Sequence, residues 1–198
     1  MKKILLGAGL GMALSLLVVI IGLVAASLPP PLDPQGLHTT GVLHVNLNVS
    51  DFKRSKAFYE KLGFKHLMDV NKTADGDVAA AVGAETYVVR GALMTHKDGS
   101  VIDLLEWQTP RDTRPPYDNL FRPGLARLAL RTTDLDADVE RLKEDGVPFI
   151  SERPGAVSDG LGGTTRFICF KDPDGTIIEL VEMGPVMGVI QGASQQQN

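Results

Sequence analysis

Cysteine is all but missing from this 198-residue chain, with Cys169 the only one. That excludes a disulfide framework, a cysteine-rich zinc site and a lipid-modified cysteine near the N-terminus. Histidine is scarce as well, at His38, His44, His66 and His96. There is no excess of positive charge: 20 Lys and Arg stand against 24 Asp and Glu, for a net of −4, which argues against a nucleic-acid partner. No Gly-x-Ser-x-Gly nucleophile elbow is present. Gly160-Leu161-Gly162-Gly163 lacks the Lys-Ser or Lys-Thr of a phosphate loop and leads through Thr164-Thr165-Arg166 into a strand, so it reads as a loop. What the chain does have is a 43% apolar content, which excludes wholesale disorder and suits one globular domain.

The apolar residues fall into two distinct patterns. Lys2 and Lys3 precede Ile4–Ala26, 23 residues without a charge. A helix of about 20 apolar residues spans a bilayer core. The flanking lysines place the remainder on the far side, extracytoplasmic or periplasmic. Residues 1–27 therefore read as a membrane anchor, or as a signal peptide cut near Val24-Ala25-Ala26-Ser27 to release a secreted or periplasmic protein. Residues 28–41, rich in proline, read as a stiff linker, and residues 186–198 as a polar tail.

Between them lies a repeat. Leu43–Asp51 and Ala126–Asp134 both alternate apolar and polar residues and end on Asp, at an offset of 83 that also relates Gly63 to Gly146. Asp98-Gly99 with Ile102–Glu106 matches Asp174-Gly175 with Ile178–Glu182 at an offset of 76, so the first unit carries seven extra residues, assigned to Val78–Ala84. Each unit reads as a strand, a helix capped by Ser50 or Thr133 and closed by glycine, and three more strands. In the second unit those strands fall near Phe149–Glu152, Thr165–Phe170 and Thr176–Met183, with a tight turn at Asp172-Pro173-Asp174-Gly175. The expected fold is α+β: two tandem βαβββ modules, 42–110 and 124–185, in one domain over 42–185, preceded by the N-terminal helix or signal peptide.

Three stretches carry a family resemblance. They are His44–Asp51 with Phe58, Tyr59 and Leu62-Gly63-Phe64; Gly124–Leu130 with Asp134–Ala137; and Phe170–Gly175 with Ile178-Glu179-Leu180. Together they resemble the vicinal oxygen chelate superfamily, which groups glyoxalases, bleomycin-resistance proteins and extradiol dioxygenases. The resemblance implies a cup-shaped, barrel-like sheet holding a divalent metal (Mn, Ni, Zn, Co or Fe). It implies ligands on the first and last strand of each module, here His44, Asp103, Arg127 and Glu179. His44, Asp103 and Glu179 suit a metal, with Glu179 also the candidate proton shuttle. Arg127 departs from the pattern, because a guanidinium has no lone pair to give.

Two functions lead as expectations, ahead of a membrane-tethered interaction module with an empty, salt-bridged cup. One is a glyoxalase-type lyase or isomerase, or a dioxygenase, that binds two adjacent substrate oxygens on the metal. The other is a metal-free small-molecule binder or degenerate domain, with Arg127 clamping an anion and Asn46, Asn48 and Trp107 lining the pocket. The residue pattern alone leaves His44 as either a ligand or a hydrogen-bonded structural group, Glu179 as either a ligand or the ion-pair partner of Arg127, and Trp107 as either a pocket wall or core. Cys169, between Ile168 and Phe170, reads as inert core. Glu106 and Glu182 have the opposite strand parity and fall outside the expected site.

Overall fold

Alternating strands with one apolar face need a partner layer, and both halves of the chain satisfy that need in the same way. The computed structural model describes Thr39, residues 41–158 and residues 163–185. The apolar run Ile4–Ala26, nearly all of the linker, the polar tail and most of Gly160–Gly163 lie outside the described residues. The chain divides into two units after Gly41, and the described strands and helices all belong to the second.

The first module runs β1 (Val45–Asn48), α1 (Phe52–Lys61), β2 (Lys65–Asp69), β3 (Lys72–Asp75), α2 (Gly76–Ala80), β4 (Thr86–Thr95) and β5 (Val101–Thr109). The second runs β6 (Leu128–Thr132), α3 (Leu135–Glu144), β7 (Gly155–Ser158), β8 (Thr164–Lys171) and β9 (Ile177–Glu182). The sheets have the orders β1-β5-β4-β2, with β3 also on β4, and β6-β9-β8-β7. In each, the first strand lies parallel to the last. Every other pairing is antiparallel.

The duplication is deeper than the sequence motifs suggest. β3 and β7 stand at the offset of 83 and pair with β4 and β8, which correspond at 76. The change of offset therefore falls between β3 and β4, where the first module inserts α2, with Ala79 fully buried. The second-module counterpart of β2 shrinks to a single bridge, Phe149 with Phe170. The strand expected over Phe149–Glu152 is thus replaced by that bridge and by β7, which had no clear alternation to reveal it. The expected helix caps also move by one residue. Asp51 Oδ1 accepts from Arg54 N at 3.0 Å and Asp134 Oδ1 from Ala137 N at 3.1 Å. Ser50 is instead turned to Asp174. Gly63 and Gly146 close the helices at φ +94 and +74, which a side chain resists.

The apolar faces of both sheets and helices form one cluster, including Leu47, Leu104, Tyr59, Leu142, Phe170 and Ile178. Polar contacts join the modules as well. Tyr59 Oη, fully buried, donates to Asp172 Oδ2 at 2.9 Å. Asp174 accepts from Arg54 Nη2 at 2.6 Å and from Ser55 Oγ at 3.1 Å. These contacts seat α1 of the first module on the β8–β9 turn of the second.

Candidate functional site

If Leu47 and Leu104 face the core, period-two alternation turns Asn46, Asn48, Asp103 and Trp107 to the opposite face of the first sheet. On the second sheet the same parity turns Arg127 and Glu179 away from Leu128, Ile178 and Leu180. The duplication then pairs first-strand and last-strand residues in both modules.

In the first module His44 Nε2 lies 3.9 Å from Asp103 Oδ2. Asp103 Oδ1 is buried and has no hydrogen-bond partner among the described residues. Burial holds the Asp103 carboxyl above the usual carboxylate range, against the opposing pull of His44 and Asn46. Asn46 donates to the Asp103 carbonyl at 3.1 Å, and Asn48 Oδ1 accepts from Trp107 Nε1 at 2.9 Å. Trp107 is half-buried against Tyr87, with ring centroids 5.4 Å apart. Both asparagines are therefore committed partly to tying β1 to β5.

In the second module Arg127 Nε donates to Glu179 Oε2 at 2.9 Å. The Glu179 side chain is 7% exposed and that of Arg127 42%. A buried carboxylate next to a half-open guanidinium is neutralised in place. Cys169 Sγ is 3.9 Å from Glu179 Oε1, and burial, then Glu179, pushes its thiol up. Cys169 is buried as expected, but on the face of Glu179, its cross-strand partner, and not among the core residues Ile168 and Phe170.

The residues do not fit the metal that the family resemblance implies. Among the described residues no three His, Cys, Asp or Glu stand close enough to share an ion. His44 pairs with Asp103 on the first sheet, and on the second Glu179 is held by Arg127. A cavity of about 1360 Å³ is lined by His44 but not by Asp103, Arg127 or Glu179. Each sheet carries its own pair, and in the second Arg127 supplies the positive charge Glu179 requires.

Two functional-looking residues that parity set aside have a clear structural task. Glu106 Oε2 accepts from Phe52 N at 2.9 Å and from Arg90 Nη2 at 2.6 Å. Glu182 accepts from Leu135 N and from Arg166 Nη1, both at 3.2 Å. Each glutamate therefore satisfies the first orphan N–H of its module's helix. The signal lay in the sequence, since Arg90 and Arg166 share the offset of 76 with the two glutamates.

These features define a duplicated α+β domain, with five strands in one sheet and four in the other, whose modules each set the side chain just before the first strand against a last-strand carboxylate. Residues 41–180 match the Glyoxalase/Bleomycin resistance protein/Dioxygenase superfamily, and the chain belongs to it. It is 34% identical over 143 residues to the uncharacterized protein YwkD of Bacillus subtilis, spanning 70% of this chain and 94% of that protein. It is 26% identical over 151 residues to a probable lactoylglutathione lyase of Vibrio parahaemolyticus, spanning 76% and 96%. A glyoxalase family protein from Bacillus cereus has the same fold, at a TM-score of 0.60 and 22% identity, covering 75% of this chain and 99% of that one. Among the described residues no helix is long and apolar enough to cross a membrane.

Proposed function

We propose that the domain binds a small anionic molecule without a metal, using Arg127 as the anchor. The observation that carries this reading is the Arg127–Glu179 pair, at 2.9 Å with Glu179 buried and Arg127 half-open. One of the five guanidinium N–H donors is spent on Glu179. The others suit a carboxylate, which accepts two parallel hydrogen bonds. A cation placed beside Glu179 would meet the guanidinium charge, a repulsion strengthened by the low local dielectric. The anchor of this reading is Arg127 itself; Asn46, Asn48 and Trp107 lie on the other sheet, where they tie β1 to β5. Glu179, already paired, serves as the positioning partner of Arg127 and not as a proton shuttle. The uncharged run Ile4–Ala26 behind Lys2-Lys3 supports a place for this domain outside the cytoplasm, tethered or released. A reporter-enzyme fusion after residue 185, active only outside the cytoplasm, reads that placement.

The binding test uses benzoate as the probe. Arg127→Ala is expected to weaken benzoate binding by about tenfold or more, the worth of a charge-assisted pair. Binding by the unaltered protein should persist after chelation. Near-stoichiometric metal in the purified protein, lost on His44→Ala, would overturn the reading in favour of a metal-dependent lyase or dioxygenase.

A further inference from the structure

The connector between β5 and β6 has local order of its own. Asn119 Oδ1 accepts from Phe121 N at 2.9 Å, an Asx-type turn, and the Arg122 guanidinium lies 4.6 Å from the centre of the Tyr117 ring. The turn presents Leu120, half-buried, and Phe121, 92% exposed. A second segment meets the same space where the second module has only a bridge in place of β2. There Ile150 N donates to the Cys169 carbonyl at 2.9 Å and Lys171 N to the Pro148 carbonyl at 3.0 Å. That register sets Phe149 beside Phe170 on the core and turns Pro148, Ile150 and Lys171 together to the opposite face. Ile150 is 49% exposed. Leu120 and Phe121 of the connector and Pro148, Ile150 and Lys171 of the sheet line one cavity of about 460 Å³, completed by Asp118, Asn119 and Phe149. Its size and its mostly apolar wall are those of a small-molecule site, for which the usual range is roughly 300–1,000 Å³.

Two opposite charges line this cavity, and neither answers the other. Lys171, half-buried, has no acidic partner within ion-pair distance among the described residues. Asp118, exposed, accepts from Asn119 Nδ2 at 2.7 Å, a neutral donor that leaves the carboxylate charge in place. A ligand with only a negative charge would meet Asp118, and one with only a positive charge would meet Lys171. A molecule that carries both charges satisfies both groups. The apolar walls add that it should carry an apolar body as well.

We propose that this cavity binds a zwitterion with an apolar body, a free amino acid with an aromatic or aliphatic side chain. Its carboxylate pairs with Lys171 and its ammonium with Asp118, while its side chain lies among Leu120, Phe121, Pro148 and Ile150. Arg127 is not part of the lining, so the site does not depend on the anion anchor.

The test is titration calorimetry of the full chain with L-phenylalanine, 3-phenylpropanoate and 2-phenylethylamine, which share a phenyl group and differ in charge. L-phenylalanine is expected to bind about tenfold or more tighter than either of the others, the worth of one charge-assisted pair. Lys171→Met should weaken L-phenylalanine by about tenfold. Asp118→Asn should bring L-phenylalanine down to the level of 3-phenylpropanoate and leave 3-phenylpropanoate no weaker than before. Asp118 is exposed, so its substitution reads the site without disturbing the core. No binding of L-phenylalanine, binding no tighter than that of 3-phenylpropanoate, or binding that neither substitution weakens would overturn the proposal.

Discussion

The two modules share one blueprint and execute it with different tightness. Glu106 in the first has an 8% exposed side chain and holds Phe52 N and Arg90 at 2.9 and 2.6 Å. Glu182 in the second has a 28% exposed side chain and holds both of its partners at 3.2 Å. At the site the order reverses. Arg127 and Glu179 close to 2.9 Å, whereas His44 and Asp103 stand 3.9 Å apart with one buried oxygen unpartnered. Duplication therefore preserved positions while the interactions at those positions diverged. A framework residue stayed a glutamate in both copies, and the site residue became imidazole in one and guanidinium in the other.

The largest effect should come from the framework. Glu106→Ala leaves Arg90 and the α1 N-terminus unpaired and is expected to cost about 2–3 kcal/mol, below the full penalty of a buried pair because Arg90 is half-exposed. Glu182→Ala should cost only about 1 kcal/mol. Urea unfolding of both variants checks this, and equal losses would break the contrast between the modules. Tyr59→Phe comes next. It removes one of three donors to Asp172, whose Oδ1 also accepts from Asp174 N and Thr176 N at 2.9 and 2.7 Å. The expected loss is about 1–2 kcal/mol. Thermal unfolding should show Asp172→Asn to be milder, since an amide keeps both oxygen-accepted bonds and loses the charge that burial disfavours.

The smallest effect is a pH dependence at Asp103. Its folded carboxyl titrates above its unfolded value of 3.8, because burial raises it. The folded state then binds the proton more tightly than the unfolded chain, so this group's contribution falls as pH rises from 3.8 through the folded value. Asp103→Asn should stabilise the protein slightly at pH 7, with the gain vanishing below pH 3.8. Melting temperatures of the two proteins across that range measure it, and a gain that grows on acidification would contradict the assignment.

How far the sequence could be read depended on range. Alternation in Leu43–Val49 and Ala126–Leu130 and the offsets of 83 and 76 made the strands, the helices and the paired positions legible, because each is a local pattern met twice. β3, with the sequence Lys72-Thr73-Ala74-Asp75, escaped because it carries almost no apolar signal and owes its state to pairing with β4. Parity alone would have put Cys169 beside Glu179, but its apolar neighbours masked that. How the His44 and Arg127 pairs stand to each other was out of reach, since it depends on how two sheets pack through one shared core. A motif names the positions of a site and leaves their convergence to long-range packing.

The function proposed for the domain turns on Arg127 standing in for a metal. The most direct measurement is benzoate binding to the full chain before and after exhaustive chelation, with bound metal counted in the same samples. Substoichiometric metal and an unchanged dissociation constant are the expected result. One equivalent of Mn, Ni, Zn, Co or Fe per chain, with binding lost on chelation and restored on reloading, would contradict it.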